Sequence, residues 1–270
     1  MDKLTRKCYN YISIKCEWSE TMNKIIAERS TKTIYSDGYK CMKVFNEEYS
    51  SANVLNEAFN QAMAQNEGLS VPKITEVSEK DGRWTIVSEY INGKSLAQLM
   101  EENPDNMDSY LDLFVNLQLD VHSKRCPTLK RLSDKLHHRI EQSELSATDR
   151  YALHTRLETF PRNSKLCHTD FNPSNIIISD NGTPYIIDWS HAVQGNASAE
   201  TSITYLMFIL GGKNDIAEKY IELFCKKSDT SIEYVKKWIP ITATAMAVNR
   251  YPERRDFLMK YVEDGFSTKI

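Results

Sequence analysis

The segment Leu166-Cys-His-Thr-Asp-Phe-Asn-Pro-Ser-Asn175, followed after twelve residues by Asp188-Trp189, carries the most information in this chain. It sets His168, Asp170, Asn175 and Asp188 in the spacing His-x-Asp-x4-Asn-x12-Asp. Phosphoryl transfer to a hydroxyl needs a carboxylate that takes the hydroxyl proton and oxygen ligands for the cation that screens the phosphates. Asp170 is the expected base, and Asn175 and Asp188 are the expected ligands of Mg2+, which prefers hard oxygen donors. Asn175-Ile-Ile-Ile-Ser179 and Tyr185-Ile-Ile-Asp188 read as strands around the turn Asp180-Asn181-Gly182. That hairpin folds Asp188 back beside the loop bearing Asp170. His168 belongs to the same catalytic motif, and its expected part is to prop the loop by hydrogen-bonding backbone near Asp188.

Ahead of this segment the chain reads as strands with one helix inserted. Lys24-Ile-Ile-Ala-Glu28 and Thr33-Ile-Tyr35 are short β-rich runs, and Asp37-Gly38 is a hairpin signal before the strand Tyr39–Phe45. The period of two in that strand puts Tyr39, Cys41, Lys43 and Phe45 on one face and Lys40, Met42 and Val44 on the other. Lys43 is therefore the candidate cation for nucleotide phosphates, with small Cys41 beside it leaving room for an adenine ring. Residues 51–65 read as a helix capped by Ser50 or Ser51, with Val54, Ala58, Phe59 and Ala62 at helical spacing, and Glu57 is placed there to pair with Lys43. Residues 71–77 and 83–89 complete an antiparallel set.

Asn92-Gly93 breaks the pattern, and helices dominate after it. Leu96, Leu99 and Met100 begin one, while Leu111, Phe114, Val115 and Leu119 mark the apolar face of another. Residues 134–144 and 147–160 read as two more, and Gly211-Gly212 ends the apolar segment Ile203–Leu210. The expected fold class is α+β and bilobal, with a small antiparallel-sheet N-lobe over residues 1–91 and a larger, mainly helical C-lobe over residues 92–270.

Composition constrains the partners. A net charge of −3 and a pI near 6.1, with no local cluster of Lys and Arg, give no footprint for nucleic acid. No apolar run approaches a bilayer span, and the first residues do not form a signal peptide, so no membrane association is expected. Cys8, Cys16, Cys41, Cys126, Cys167 and Cys225 are scattered without a Cys-x-x-Cys pair. Free thiols in a reduced, cytoplasmic setting are the simplest reading, and no protein partner is evident. His122 reads as a core histidine, His137-His138 as part of a solvated helix face, and His191 as a loop residue.

Six stretches in the right order resemble the aminoglycoside phosphotransferase and choline kinase-like family, within the protein-kinase-like fold. Residues 25–35 resemble its first hairpin over the nucleotide, Lys43-Val-Phe its strand lysine, and Asn56-Glu57-Ala58 its helix glutamate. Residues 86–96 resemble its hinge, and residues 167–175 with Ile187-Asp-Trp189 its catalytic and metal motifs. The resemblance runs from about Ile25 to Phe208. It implies ATP or GTP as donor, adenine bonded to the backbone of Glu89 and Ile91, and a small-molecule hydroxyl as acceptor. Several positions depart from the family pattern. Arg29 and Lys32 stand where small or glycine residues are usual, which weakens backbone contacts to phosphate, with Ser30 and Thr31 offering hydroxyls instead. Thr169 replaces a glycine, Asn172 and Ser174 also differ, and Glu200 stands where an aspartate often steadies the loop.

Two competing functions bear on these residues. A protein kinase needs a long activation segment after its metal-binding Asp, and only about a dozen residues separate Asp188 from Glu200 and the helical run there. The alternative of a catalytically weak nucleotide-binding pseudokinase or scaffold would be favoured by loss of Lys43, Asp170, Asn175 or Asp188, and all four are present. The expected reaction is transfer of a γ-phosphate to a hydroxyl of an aminoglycoside, sugar or amino alcohol. An aminoglycoside site should be strongly acidic, whereas the charges of residues 96–165 are nearly balanced.

Overall fold

The computed structural model describes residues 24–248 and 252–267. Cys8 and Cys16 and the rest of the N-terminal reading lie outside the described residues. The chain opens with strands β1 (Lys24–Glu28), β2 (Lys32–Ser36) and β3 (Lys40–Phe45), helix α1 (Ser51–Asn66), then β4 (Ile74–Lys80) and β5 (Arg83–Glu89). The strands form one antiparallel sheet in the order β1-β2-β3-β5-β4. The β2–β3 turn is set by Asp37, whose Oδ1 accepts from the N–H groups of Tyr39 and Lys40 at 2.8 and 2.7 Å. That turn fixes the register Ser36↔Cys41, Ile34↔Lys43 and Lys32↔Phe45.

α1 differs from its expected pattern. Phe59 is exposed, and the inward face carries Glu57, Asn60 and Gln61 beside Val54, Ala58 and Ala64. Ser50 holds the N-cap position without a capping side-chain bond. The polar face is satisfied by other elements, since Gln61 donates to Pro72 O at 2.7 Å and Asn60 to Trp189 O at 3.0 Å. Periodicity of apolar residues alone misplaces such a face, because here the inward neighbours are charges and carbonyls.

After Glu89 the chain crosses into a second body. Its elements are β6 (Gly93–Ser95), α2 (Leu96–Glu102), α3 (Met107–Ser123), α4 (Leu132–Glu141), α5 (Ala147–Glu158) and β7 (Lys165–Cys167). They are followed by β8 (Ile176–Ser179), β9 (Pro184–Ile186), β10 (Val193–Gly195), α6 (Ala197–Leu210), α7 (Asn214–Ser228), α8 (Ile232–Lys236), α9 (Ile239–Ala247) and α10 (Pro252–Ser267). A capping box starts α2, with Ser95 Oγ accepting from Gln98 N and Gln98 Oε1 accepting from Ser95 N. α6 is buried on nearly every side, and its Thr201 and Ser202 hydroxyls return hydrogen bonds to Ala197 O and Ala199 O. The mixture of an antiparallel sheet and a helical body is the α+β, kinase-like class expected.

The core of the larger body lies directly beneath the motif loop. Phe171, next to Asp170, is buried against Phe114 with ring centroids 4.9 Å apart, and Phe114 also meets Tyr220 and Phe208. Thr204 Oγ1 donates to Phe171 O at 2.9 Å, so α6 holds the loop backbone while Phe114 of α3 packs on its side chain. The crossing itself depends on Gly93, where an added Cβ would stand 2.1 Å from Ile178 O of β8. Gly93→Ala is therefore expected to lower unfolding free energy by about 2–4 kcal/mol, measured by urea denaturation.

Candidate active site

Four elements bring a compact charge cluster together. β3 supplies Lys43, β2 supplies Lys32, α1 supplies Glu57, and the turn after β9 supplies Asp188. Lys43 Nζ lies 2.6 Å from Glu57 Oε1 and 4.0 Å from Asp188 Oδ1. Lys32 Nζ lies 3.2 Å from Glu57 Oε2 and 3.5 Å from Asp188 Oδ1. Glu57 and Lys32 are buried, with only 1% and 8% of their surfaces exposed, so these charges meet at low dielectric. Burial opposes the Lys43 ammonium, but Glu57 and Asp188 outweigh it and raise its pKa. Burial likewise opposes the Asp188 carboxylate, and Lys43, Lys32 and the Ser190 hydroxyl hold it well below the usual carboxylate range.

The role of Lys32 corrects its sequence reading. It is not part of the β1–β2 turn but the first residue of β2, paired across from Phe45, whose ring centroid is 5.5 Å from its ammonium. Instead of displacing a phosphate contact, it adds a second cation beside Lys43. A signal for it did exist, because the Asp37-Gly38 hairpin register puts Lys32 and Ile34 on the face that bears Lys43. Ser30 and Thr31 sit exposed in the turn, whose backbone is tied down by Asn46: its Nδ2 donates to Ser30 O and its N–H to Thr31 O.

Asp170 is partly exposed and lines a cavity beside the loop. Its carboxylate accepts from Asn175 Nδ2 at 2.9 Å and from Asn172 Nδ2 at 3.3 Å, and both amides also reach its carbonyl. Asn175 thus uses its nitrogen on Asp170, and its amide oxygen meets no donor among the described residues. Ile187 N donates to Asn175 O at 2.9 Å, which draws the two proposed ligand positions, Asn175 and Asp188, side by side. The donor set fits a hard divalent cation: an ionised carboxylate and an amide oxygen without a hydrogen-bond donor.

The loop is braced from behind. His168 Nε2 lies 3.0 Å from Ile187 O, the backbone contact expected of it. Thr169 adopts φ +57°, unusual for a β-branched residue, at the position where the family pattern has glycine. Its N–H donates to Glu200 Oε1, and its hydroxyl donates to His191 O at 2.7 Å. Glu200 is fully buried, and its other oxygen takes His122 Nε2 at 2.5 Å. Burial opposes the Glu200 carboxylate, yet His122 and the Thr169 N–H keep its pKa lowered. His122 is thus the buried core histidine expected, with a defined partner.

Lys135 of α4 was not foreseen. Its ammonium donates to Thr169 Oγ1 at 3.0 Å. Burial and then Arg139 lower its pKa to about 8, against the opposite pull of Asp170 and Glu200. At the hinge, Glu89 N donates to Lys73 O, so Glu89 can offer a ligand only its carbonyl, while the Ile91 N–H meets no acceptor among the described residues. Cys41, Cys126, Cys167 and Cys225 are free thiols. Among the described residues no helix is long and apolar enough to cross a membrane.

This arrangement defines a class. The family model for the phosphotransferase enzyme family matches residues 35–229, and the chain belongs to that family, an enzyme of the small-molecule kinase type. The fold is shared with aminoglycoside phosphotransferase APH(4)-Ia in ternary complex with AMP-PNP and hygromycin B, at a TM-score of 0.69 and 13% identity over 92% of this chain and 93% of that one. Choline kinase LicA from Streptococcus pneumoniae aligns at 0.64 and 14% over 92% and 95% of the two chains. ADP-bound aminoglycoside phosphotransferase APH(2'')-Ib aligns at 0.61 and 14% over 92% of each. No curated protein matches by sequence.

Because Lys135 is held below its ordinary pKa, the folded chain releases this proton near pH 8, whereas the unfolded chain holds it to about pH 10.5. Between those values the unfolded state binds more protons, so this side chain makes stability rise with pH. Urea midpoints at pH 7.5, 9 and 10.5 are expected to show that rise in the wild type and a smaller one in Lys135→Met.

Proposed function

We propose that this phosphotransferase moves the γ-phosphate of ATP or GTP to a hydroxyl of a small molecule, with Asp170 as the base. The observation that carries the reading is the convergence of Lys43, Glu57 and Asp188 from distant parts of the chain, with Asp170 tied to the same turn through Asn175, which accepts from Ile187 N. Residues up to 91 serve as the nucleotide-binding lobe and the remainder as the catalytic and acceptor-binding lobe. The base is received by the Glu89 carbonyl and the Ile91 N–H. Lys43, oriented by Glu57, and Lys32 beside it contact the phosphates, with the Ser30 and Thr31 hydroxyls above them. Asn175 and Asp188 hold Mg2+, which when bound neutralises charge developing on the phosphates.

Two asparagines fix the orientation of the Asp170 carboxylate, which accepts the acceptor's proton as the oxygen attacks. His168 acts through the backbone, keeping Ile187 and hence Asp188 in place. The scattered free thiols agree with a reducing, cytoplasmic site of action.

Purified protein with Mg2+ and ATP or GTP is expected to phosphorylate a small alcohol from a metabolite panel, with Asp170→Asn lowering kcat at least about 1,000-fold. Wild type that binds nucleotide without any turnover would move the assignment to a nucleotide-binding scaffold. Lys32→Met is expected to raise KM for the nucleotide about tenfold while Glu57 still orients Lys43, a shift of about 1.4 kcal/mol. An unchanged KM would confine Lys32 to a packing role.

A further inference from the structure

We propose that the acceptor carries an anionic group, and that the site is built against polycations; this rests on the assignment of Asp170 as the base. A cavity of about 350 Å³ opens beside Asp170, walled by the catalytic loop, the C-terminal end of α6 and the first turn of α10. Its charged lining is Lys213, Arg254 and Asp170, so two cations face one carboxylate. Met207, Leu210 and Met246 supply apolar lining.

Two cationic acceptor classes fail a physical requirement here. A polyamine such as an aminoglycoside needs several carboxylates, and the one carboxylate that lines this cavity among the described residues must stay free to take a proton. A quaternary ammonium needs aromatic faces, but among the described residues Phe208 is the only aromatic in the lining and is 94% buried. The cations are poorly neutralised. Lys213 stands 4.0 Å from Glu101, whose side chain is 73% exposed, and Arg254 pairs with no carboxylate among the described residues. A guanidinium without a partner at the edge of a cavity is suited to a carboxylate or phosphate, which it binds in bidentate fashion.

The acceptor is accordingly a hydroxy acid or a phosphate monoester with a free hydroxyl, its carbon skeleton lying along the methionine wall. As its hydroxyl oxygen bonds to the γ-phosphorus, the proton passes to Asp170, the β–γ bridging P–O bond breaks, and the nucleoside diphosphate leaves.

The test uses the full chain with Mg2+ and ATP, following diphosphate release with hydroxy acids, sugar phosphates, neutral sugars, choline and kanamycin. The two anionic groups of compounds separate a carboxylate from a phosphate as the recognised group. An anionic compound is expected to have the highest kcat/KM. Arg254→Gln should raise its KM at least tenfold while KM for ATP moves less than twofold, and Arg254→Lys should recover part of the loss. Lys213→Gln should weaken the same acceptor by a smaller factor. Preference for choline, kanamycin or a neutral sugar overturns the proposal and leaves the kinase assignment standing, as does an acceptor KM indifferent to Arg254→Gln. Absence of turnover with every compound, together with nucleotide hydrolysis indifferent to Asp170→Asn, removes both.

Discussion

The Glu57 carboxylate, buried between the ammonium groups of Lys43 and Lys32, is the interaction on which the rest of this structure turns. Withdrawing such charges from water carries a desolvation cost of several kcal/mol per ion, so the cluster is not a simple source of stability. What it provides is geometry. Two positive charges and two negative charges, from three elements of the sheet-bearing body and one turn of the helical body, satisfy one another only in a single arrangement. Removing either acid would leave an ammonium buried without compensation.

Apolar packing joins the two bodies only in part. Phe45, Val54, Ala58 and Ile86 form a small core of their own under the sheet, whereas Ala64, Leu69 and Val71 belong to the large core. α1 therefore has its first turns in one core and its end in the other. Between those anchors it presents Glu57 and Asn60, which grip Lys43 and the Trp189 carbonyl. The cleft lies where the apolar contacts are interrupted, and its walls are aligned by hydrogen bonds and charges. Ile186 N, donating to Ser70 O at 2.9 Å, adds a backbone tie beside the same junction.

The motif loop shows how local strain is held. Thr169 and Asp188 both occupy left-handed backbone, at φ +57° and +64°. Such conformations persist when surrounding contacts over-determine them. Thr169 is held by Glu200, His191 O and Lys135, and Asp188 by Ser190, Lys32 and Lys43. The Thr169 hydroxyl adds contacts to His191 O and Lys135 that a glycine would lack. Glu200 likewise reaches both Thr169 N and His122 from α6, so a longer side chain fills the place of the family's aspartate.

Much of the site could be read from the chain because its chemistry is local. His168 to Asp188 lie within one loop and one hairpin, and Lys43 and Glu57 are separated by one strand end, the connection of residues 46–50 and two helical turns. Turn chemistry and strand alternation determine such placements, and with them the antiparallel sheet, the hinge and the phosphotransferase motif. The tertiary structure alone decided the rest. Lys32 meets Asp188 across 156 positions, Lys135 reaches Thr169 from another helix, and Arg254 joins the cavity beside Asp170 from the last one. Periodicity reports which way a side chain points within its own element and nothing of what awaits it there. That is why Phe59 was expected inside and lies outside, while Glu57, Asn60 and Gln61 face inward. The character of the acceptor cavity belongs to the same category, because its charge is the sum of Asp170 of the catalytic loop, Lys213 of the segment after α6 and Arg254 of α10, gathered only by folding.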